Sequence, residues 1–286
     1  MPQQPLSGSA GNWGSVDMPL CEGLWYEEQG QGYPILFVHG WCMSSAVWGL
    51  QREAVAADHR FLAVDLRGHG RSTAAQTGGG FAAHAADLVG LVRQLNLRDL
   101  VVVGWSLGAQ ALLKAYPALQ QHLKGLVLVG ATPRFSAAPH FPYGLPAKEA
   151  VGMRLKVRRN LERALEGFQR TLFVEGELAD PAAAAAVTQV LSAVRQPDQT
   201  VALEGLEALM DEEVLKEAGQ VRCPTLLLHG SQDQTCLPAA SAWLAQQIST
   251  SRRVLVQGCG HAPFLSRPAL FNQELLNFLG EVYSDV

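Results

Sequence analysis

The chain has 286 residues, 48% of them hydrophobic and 17% charged, with a formal net charge of −4 at pH 7. Such a chain can build one large α/β domain with an insertion, or two small domains. The negative balance gives no support to nucleic-acid binding, and no apolar run has the length needed to cross a bilayer.

In chain order, Met1-Pro2-Gln3-Gln4-Pro5 lacks a basic region followed by an apolar one. No secretory signal is therefore expected. The five cysteines, at 21, 42, 223, 236 and 259, are scattered and never form Cys-x-x-Cys. That pattern points to free thiols in a reducing compartment, with the cytoplasm as the default. Residues 1–17, rich in Gly, Ser, Pro and Gln, are expected to form a disordered tail. Leu24-Trp25-Tyr26 reads as an early strand and Ile35–Val38 as a buried one ending in His39-Gly40-Trp41. A helix over Val47–Ala57, a strand over Phe61–Val64, a helix over Phe81–Leu95 and a strand over Leu100–Val103 follow. Next come Gly104-Trp105-Ser106-Leu107-Gly108, a run of helix formers from Ala109, and a strand over Leu126–Val129. This alternation implies a parallel, doubly wound sheet. It stops over residues 132–217, which hold helical stretches and no convincing strand. It resumes with a strand at Thr225–Leu228, a helix at Pro238–Ile248, a strand at Arg253–Val256 and a last helix at Pro268–Leu279. The expected organisation is thus a core over 18–131 and 218–286, with a helical lid over 132–217.

The stretch that organises the chain is Gly104–Gly108. A strand that becomes a helix within one residue forces its apex into strained backbone, and flanking glycines remove the side chains that would clash. Ser106 at that apex would stand at a helix N-terminus, where negative charge is favoured. A serine nucleophile needs a base, and the base an orienting acid. In doubly wound sheets such groups collect beyond the carboxyl ends of the strands. Asp233, after the Thr225 strand, and His261, after the Arg253 strand, occupy such loops, and the order Ser106, Asp233, His261 is that of α/β-hydrolases. The N–H groups of Trp41 and Leu107 are the expected oxyanion donors. His229 reads as packing at a strand end, His59, His84 and His122 as ordinary surface residues, and His69 and Asp65 as turn formers.

His39-Gly40-Trp41, the Gly104–Gly108 run and Gly260-His261-Ala262-Pro263-Phe264 together resemble the α/β-hydrolase superfamily. They resemble most closely its pimeloyl-acyl carrier protein methyl ester esterases, over residues 22–282, including Thr132–Ser136 and Phe168–Thr171. Ala109 stands where these enzymes often have glycine. The resemblance implies a serine carboxylesterase with Ser106, Asp233 and His261 catalytic, and no cofactor or metal. Trp41, Ser106, Leu107, Phe168, Leu172 and His261 would contact substrate. A general short-chain esterase, a C–C bond hydrolase of the same fold, and a ligand-binding receptor without catalysis are the alternatives.

The lid has a pattern of its own. Met153, Val157, Leu161, Leu165, Phe168 and Leu172 recur at helical spacing and predict one apolar stripe. Between residues 144 and 170 there are seven basic and three acidic side chains. Arg154, Arg158, Arg159, Arg163 and Arg170 are expected to form a basic face for an acidic acyl carrier protein. The bland alternative is a solvated helix face. No membrane partner is expected, and the protein is expected to be a monomer.

Overall fold

The computed structural model describes residues 23–72 and 79–284. The tail expected over 1–17 and Cys21 lie outside these residues. Seven strands form one sheet: β1 (Tyr26–Gln29), β2 (Pro34–Val38), β3 (Arg60–Val64), β4 (Leu100–Trp105), β5 (Leu123–Val129), β6 (Thr225–Gly230) and β7 (Ser251–Val256). Their spatial order is β1-β3-β2-β4-β5-β6-β7, with β1 antiparallel to β3 and the other pairings parallel. β4 is buried along its whole length, so both faces of the sheet are covered there, as its unbroken apolar run requires.

The helices of the core are α1 (Gly49–Ala56), α2 (Phe81–Gln94), α3 (Leu107–Leu119), α9 (Pro238–Gln247), α10 (Pro263–Ser266) and α11 (Pro268–Tyr283). α2 packs on α3, while α1, α10 and α11 pack together. Between β5 and β6 the chain forms α4 (Ala147–Arg159), α5 (Leu161–Thr171), α6 (Pro181–Ala193), α7 (Gln199–Asp211) and the short α8 (Leu215–Ala218).

Two expectations are corrected here. The single stripe from Met153 to Leu172 is broken at Asn160, whose extended backbone (φ −163°) ends α4. Its side chain accepts from Arg163 N at 2.8 Å to cap α5. An Asn at this position competes with the helix backbone and favours a cap, typically worth about 1 kcal/mol. Among the expected surface histidines, His84 is buried, 1% exposed.

Register decides where the site forms. Val38 pairs with Gly104, Trp105 with Val129, and Gly230 with Val256. The carboxyl ends of β2, β4, β5, β6 and β7 therefore share one edge of the sheet, and their loops emerge together.

Candidate active site

At the end of β4 the chain turns into α3 at Ser106, with φ 55° and ψ −119°. A residue with a side chain seldom adopts positive φ, so the turn must be held from outside. Ser106 N donates to Val129 O at 3.0 Å, fastening the apex to β5. The flanking positions admit only glycine: a Cβ on Gly104 would meet Leu112 Cδ1 at 2.5 Å, and one on Gly108 the His39 carbonyl oxygen at 2.5 Å. The serine hydroxyl thus sits at the N-terminus of α3, 7% exposed.

The loop after β6 carries Asp233, and four N–H groups surround its carboxylate. Oδ1 accepts from Thr235 N at 2.8 Å and Cys236 N at 2.9 Å. Oδ2 lies 2.7 Å from His261 Nδ1 and 3.1 Å from His229 Nε2. Burial alone would push the Asp233 carboxyl up, but the adjoining His261 and His229 imidazoles outweigh it and hold the group well below the usual carboxylate range.

His261 is fixed on several sides. Its N–H donates to Leu172 O at 2.8 Å, and its carbonyl accepts from Trp105 Nε1 at 2.9 Å. Gly130 lies beneath the ring, where a Cβ would meet Cε1 and Nδ1 at 3.0 Å. With Nδ1 donating to a carboxylate, Nε2 carries the bare lone pair. That nitrogen is buried and makes no hydrogen bond. The structure therefore brings Asp233 and His261 together but does not join His261 to Ser106 by a hydrogen bond. Such bonds commonly close only with substrate bound. Burial pushes the Cys236 thiol well above its ordinary value, so it remains a neutral neighbour and not a competing nucleophile.

The loop after β2 lies against this turn, since a Cβ on Gly40 would sit 3.2 Å from Ser106 Cβ. His39 holds the loop by taking the Leu66 N–H on Nε2 (2.9 Å) and donating from Nδ1 to Gly40 O (2.8 Å). Leu107, as the first residue of α3, has no intrahelical acceptor for its N–H. The Trp41 indole is clamped by the insertion, with Nε1 donating to Ala202 O at 2.9 Å and its ring edge-on to Phe168 at 5.1 Å. Phe168 and Leu172 are both buried beside this corner.

Three residues that sequence reasoning passes over belong to the same neighbourhood. Trp105 braces the His261 carbonyl. His229, read as packing, faces the Asp233 carboxylate, and the signal is its place four residues before an acid at a strand end. Glu177, 4% exposed, accepts Val174 N and Gly260 N on Oε2, each at 2.8 Å, and so ties the insertion to the His261 loop. Nothing local in the sequence marks it.

The basic residues fall on two helices. Arg158, Arg159, Arg163 and Arg170 are exposed and Arg154 is half-buried. Arg158 lies 3.7 Å from Glu207 and Arg170 3.8 Å from Glu166. Among the described residues, no group of three or more His, Cys, Asp or Glu side chains is placed to hold a metal ion. No helix among them is long and apolar enough to cross a membrane.

The sequence matches the family model of the alpha/beta hydrolase fold over residues 33–268, and the chain belongs to that family. It is 30% identical to a pimeloyl-[acyl-carrier protein] methyl ester esterase from Nitrosospira multiformis, covering 89% of this chain and 97% of that one. A protein of the same name from Nitrosomonas europaea is 31% identical over 86% of this chain and 95% of its own. Among solved structures, an esterase from Exiguobacterium antarcticum superposes with a TM-score of 0.82 at 25% identity, over 89% of this chain and 94% of that one.

Proposed function

We propose that this chain is a serine carboxylesterase that hydrolyses the methyl ester of pimeloyl-acyl carrier protein to pimeloyl-acyl carrier protein and methanol, in biotin synthesis. The observation that carries the chemistry is the 2.7 Å contact of Asp233 with His261 beside the strained Ser106. Ser106 Oγ attacks the ester carbonyl while His261 Nε2 takes its proton, and Asp233 holds the imidazole in the tautomer that leaves Nε2 free. The N–H groups of Trp41 and Leu107 receive the oxyanion. His261 returns the proton to the departing methanol. It then deprotonates water, which attacks the acyl-enzyme and frees the acid, restoring the Ser106 hydroxyl. Phe168 and Leu172 wall the acyl site.

The substrate assignment rests on the two esterase relatives that match nearly end to end. It also draws on the basic side chains Arg154, Arg158 and Arg159 of α4 and Arg163 and Arg170 of α5. Opposite charge speeds encounter with an acidic carrier protein. The reading carries with it a cytoplasmic, monomeric enzyme. The similarity to the Exiguobacterium esterase favours, as a second reading, a general short-chain esterase.

The test compares hydrolysis of the carrier-linked methyl ester with that of a small aryl ester. Arg158 and Arg170 already face acids, so Arg159 and Arg163 are the ones to reverse. Arg159→Glu with Arg163→Glu should raise KM for the carrier-linked ester about tenfold, less so at high salt, and leave the aryl ester unchanged. Turnover of the aryl ester with none of the carrier-linked one would leave the short-chain esterase standing.

A further inference from the structure

The reading of Ser106, His261 and Asp233 as a triad leaves one buried polar side chain in contact with it unused. His229, on β6, is wholly buried. Its Nε2 lies 2.8 Å from the Cys236 carbonyl oxygen and 3.1 Å from Asp233 Oδ2, while its Nδ1 is buried with no hydrogen-bond partner. Both neighbours of Nε2 are acceptors, so this nitrogen carries the proton. A bare Nε2 would set a lone pair against two oxygens and leave a buried N–H at Nδ1 with nothing to bond. The Cys236 whose carbonyl it grips is also the residue whose N–H donates to Asp233 Oδ1. One imidazole therefore braces the acid-bearing turn at both its backbone and its carboxylate.

We propose that His229 is a positioning residue for the reaction, acting through Asp233. It shares Oδ2 with His261 and tempers the hold of that carboxylate on the base. This rests on the triad reading. The second N–H draws on the charge that would otherwise fall wholly on His261 Nδ1. Removing it should leave Asp233 stabilising the protonated, inactive imidazole more strongly, so the base is lost at a higher pH. A merely structural role predicts the opposite: a loosened Asp233 turns away, and the protonated imidazole is stabilised less. The other titratable or charged groups packed around this cluster are the Cys236 and Cys259 thiols and, across the His261 loop, Glu177 and the Arg267 guanidinium bonded to its carbonyl.

The test uses the full-length protein and a small aryl ester. Fluorophosphonate labelling of Ser106 in the unaltered protein first counts active sites; if Ser106 is not labelled, the triad reading has failed independently of His229. His229→Met keeps much of the volume without a donor. On the acid limb it should lower turnover per labelled site about threefold, the share of free base lost to a half-unit rise, without lowering kcat on the plateau. It should leave KM within about twofold and move the acid limb of kcat/KM up by about half a pH unit. His229→Gln, which can return an N–H to the position of Nε2, should restore both. An acid limb that stays or moves down, or a plateau kcat per site lowered about tenfold in His229→Met, overturns the proposal. Should His229→Met fail to fold, 15N imidazole spectra of the unaltered protein decide: an Nε2–H tautomer at His229 supports it, and an Nδ1–H tautomer overturns it.

Discussion

Ser106 shows how much a fold will distort one residue to place one oxygen. Strained backbone of this kind costs about 1–3 kcal/mol. It persists here because β5 bonds the serine N–H and because Gly104 and Gly108 let strand and helix close on each other. Under the proposed mechanism Ser106→Ala should abolish fluorophosphonate labelling and turnover together. Asp233→Asn should cut kcat by roughly 10⁴ while leaving the fold intact, the loss that the same change causes in serine proteases with this triad. Near-normal turnover in Asp233→Asn would assign the orienting role to another carboxylate. Ser106, Asp233 and His261 stand out in the sequence because each lies in the turn or loop that follows a strand, and a parallel sheet sends all such loops to one edge. His229 does not, because it lies inside the β6 run, where apolar neighbours make packing the natural reading. Only the tight turn through Ser231 and Gln232 brings its ring back onto Asp233.

Elements show the complementary limit. Strand and helix order is legible, since apolar runs and 3.6-residue periodicity report burial directly. The break between α4 and α5 is not, because the apolar spacing runs on through Asn160 and only the cap geometry interrupts it. Long-range ties are equally silent. Leu172 O, Glu177 Oε2 and the Glu177 carbonyl join the insertion to His261 N, Gly260 N and Arg267 Nη1 at 2.8, 2.8 and 3.0 Å. Gly260 can sit there only as glycine, since a Cβ would meet Leu172 O at 2.6 Å. Glu177→Ala removes the carboxylate acceptor beside the candidate base and should lower kcat about tenfold, judged by the worth of one charge-assisted bond. Glu177→Gln keeps an oxygen for both N–H groups and should retain most activity. Equal loss in both variants would show that charge matters there and not the hydrogen bond.

Across the whole molecule, the interior holds three further histidines at ordinary pH without charge. Burial pushes His39 down to about 4, and His69 and His84 down to about 3, against an ordinary value of 6.5. Below pH 6.5 the unfolded chain takes up these protons and the folded chain does not. Stability is therefore full above that pH and is lost as pH falls toward the folded-state values. Each histidine can contribute up to about 1.4 kcal/mol per pH unit, so the three together reach about 4 kcal/mol per unit. Against a usual total of about 5–15 kcal/mol, urea midpoints should fall steeply between pH 6 and about pH 4.5. Equal midpoints at pH 7 and pH 5 would show that these rings are already charged, or solvated, in the native state. Under the proposed mechanism the seam between the insertion and the His261 loop is an interlock. Any swing of the insertion that parts Leu172 from His261 also unpins the base, so the serine is disarmed whenever that side stands open to water.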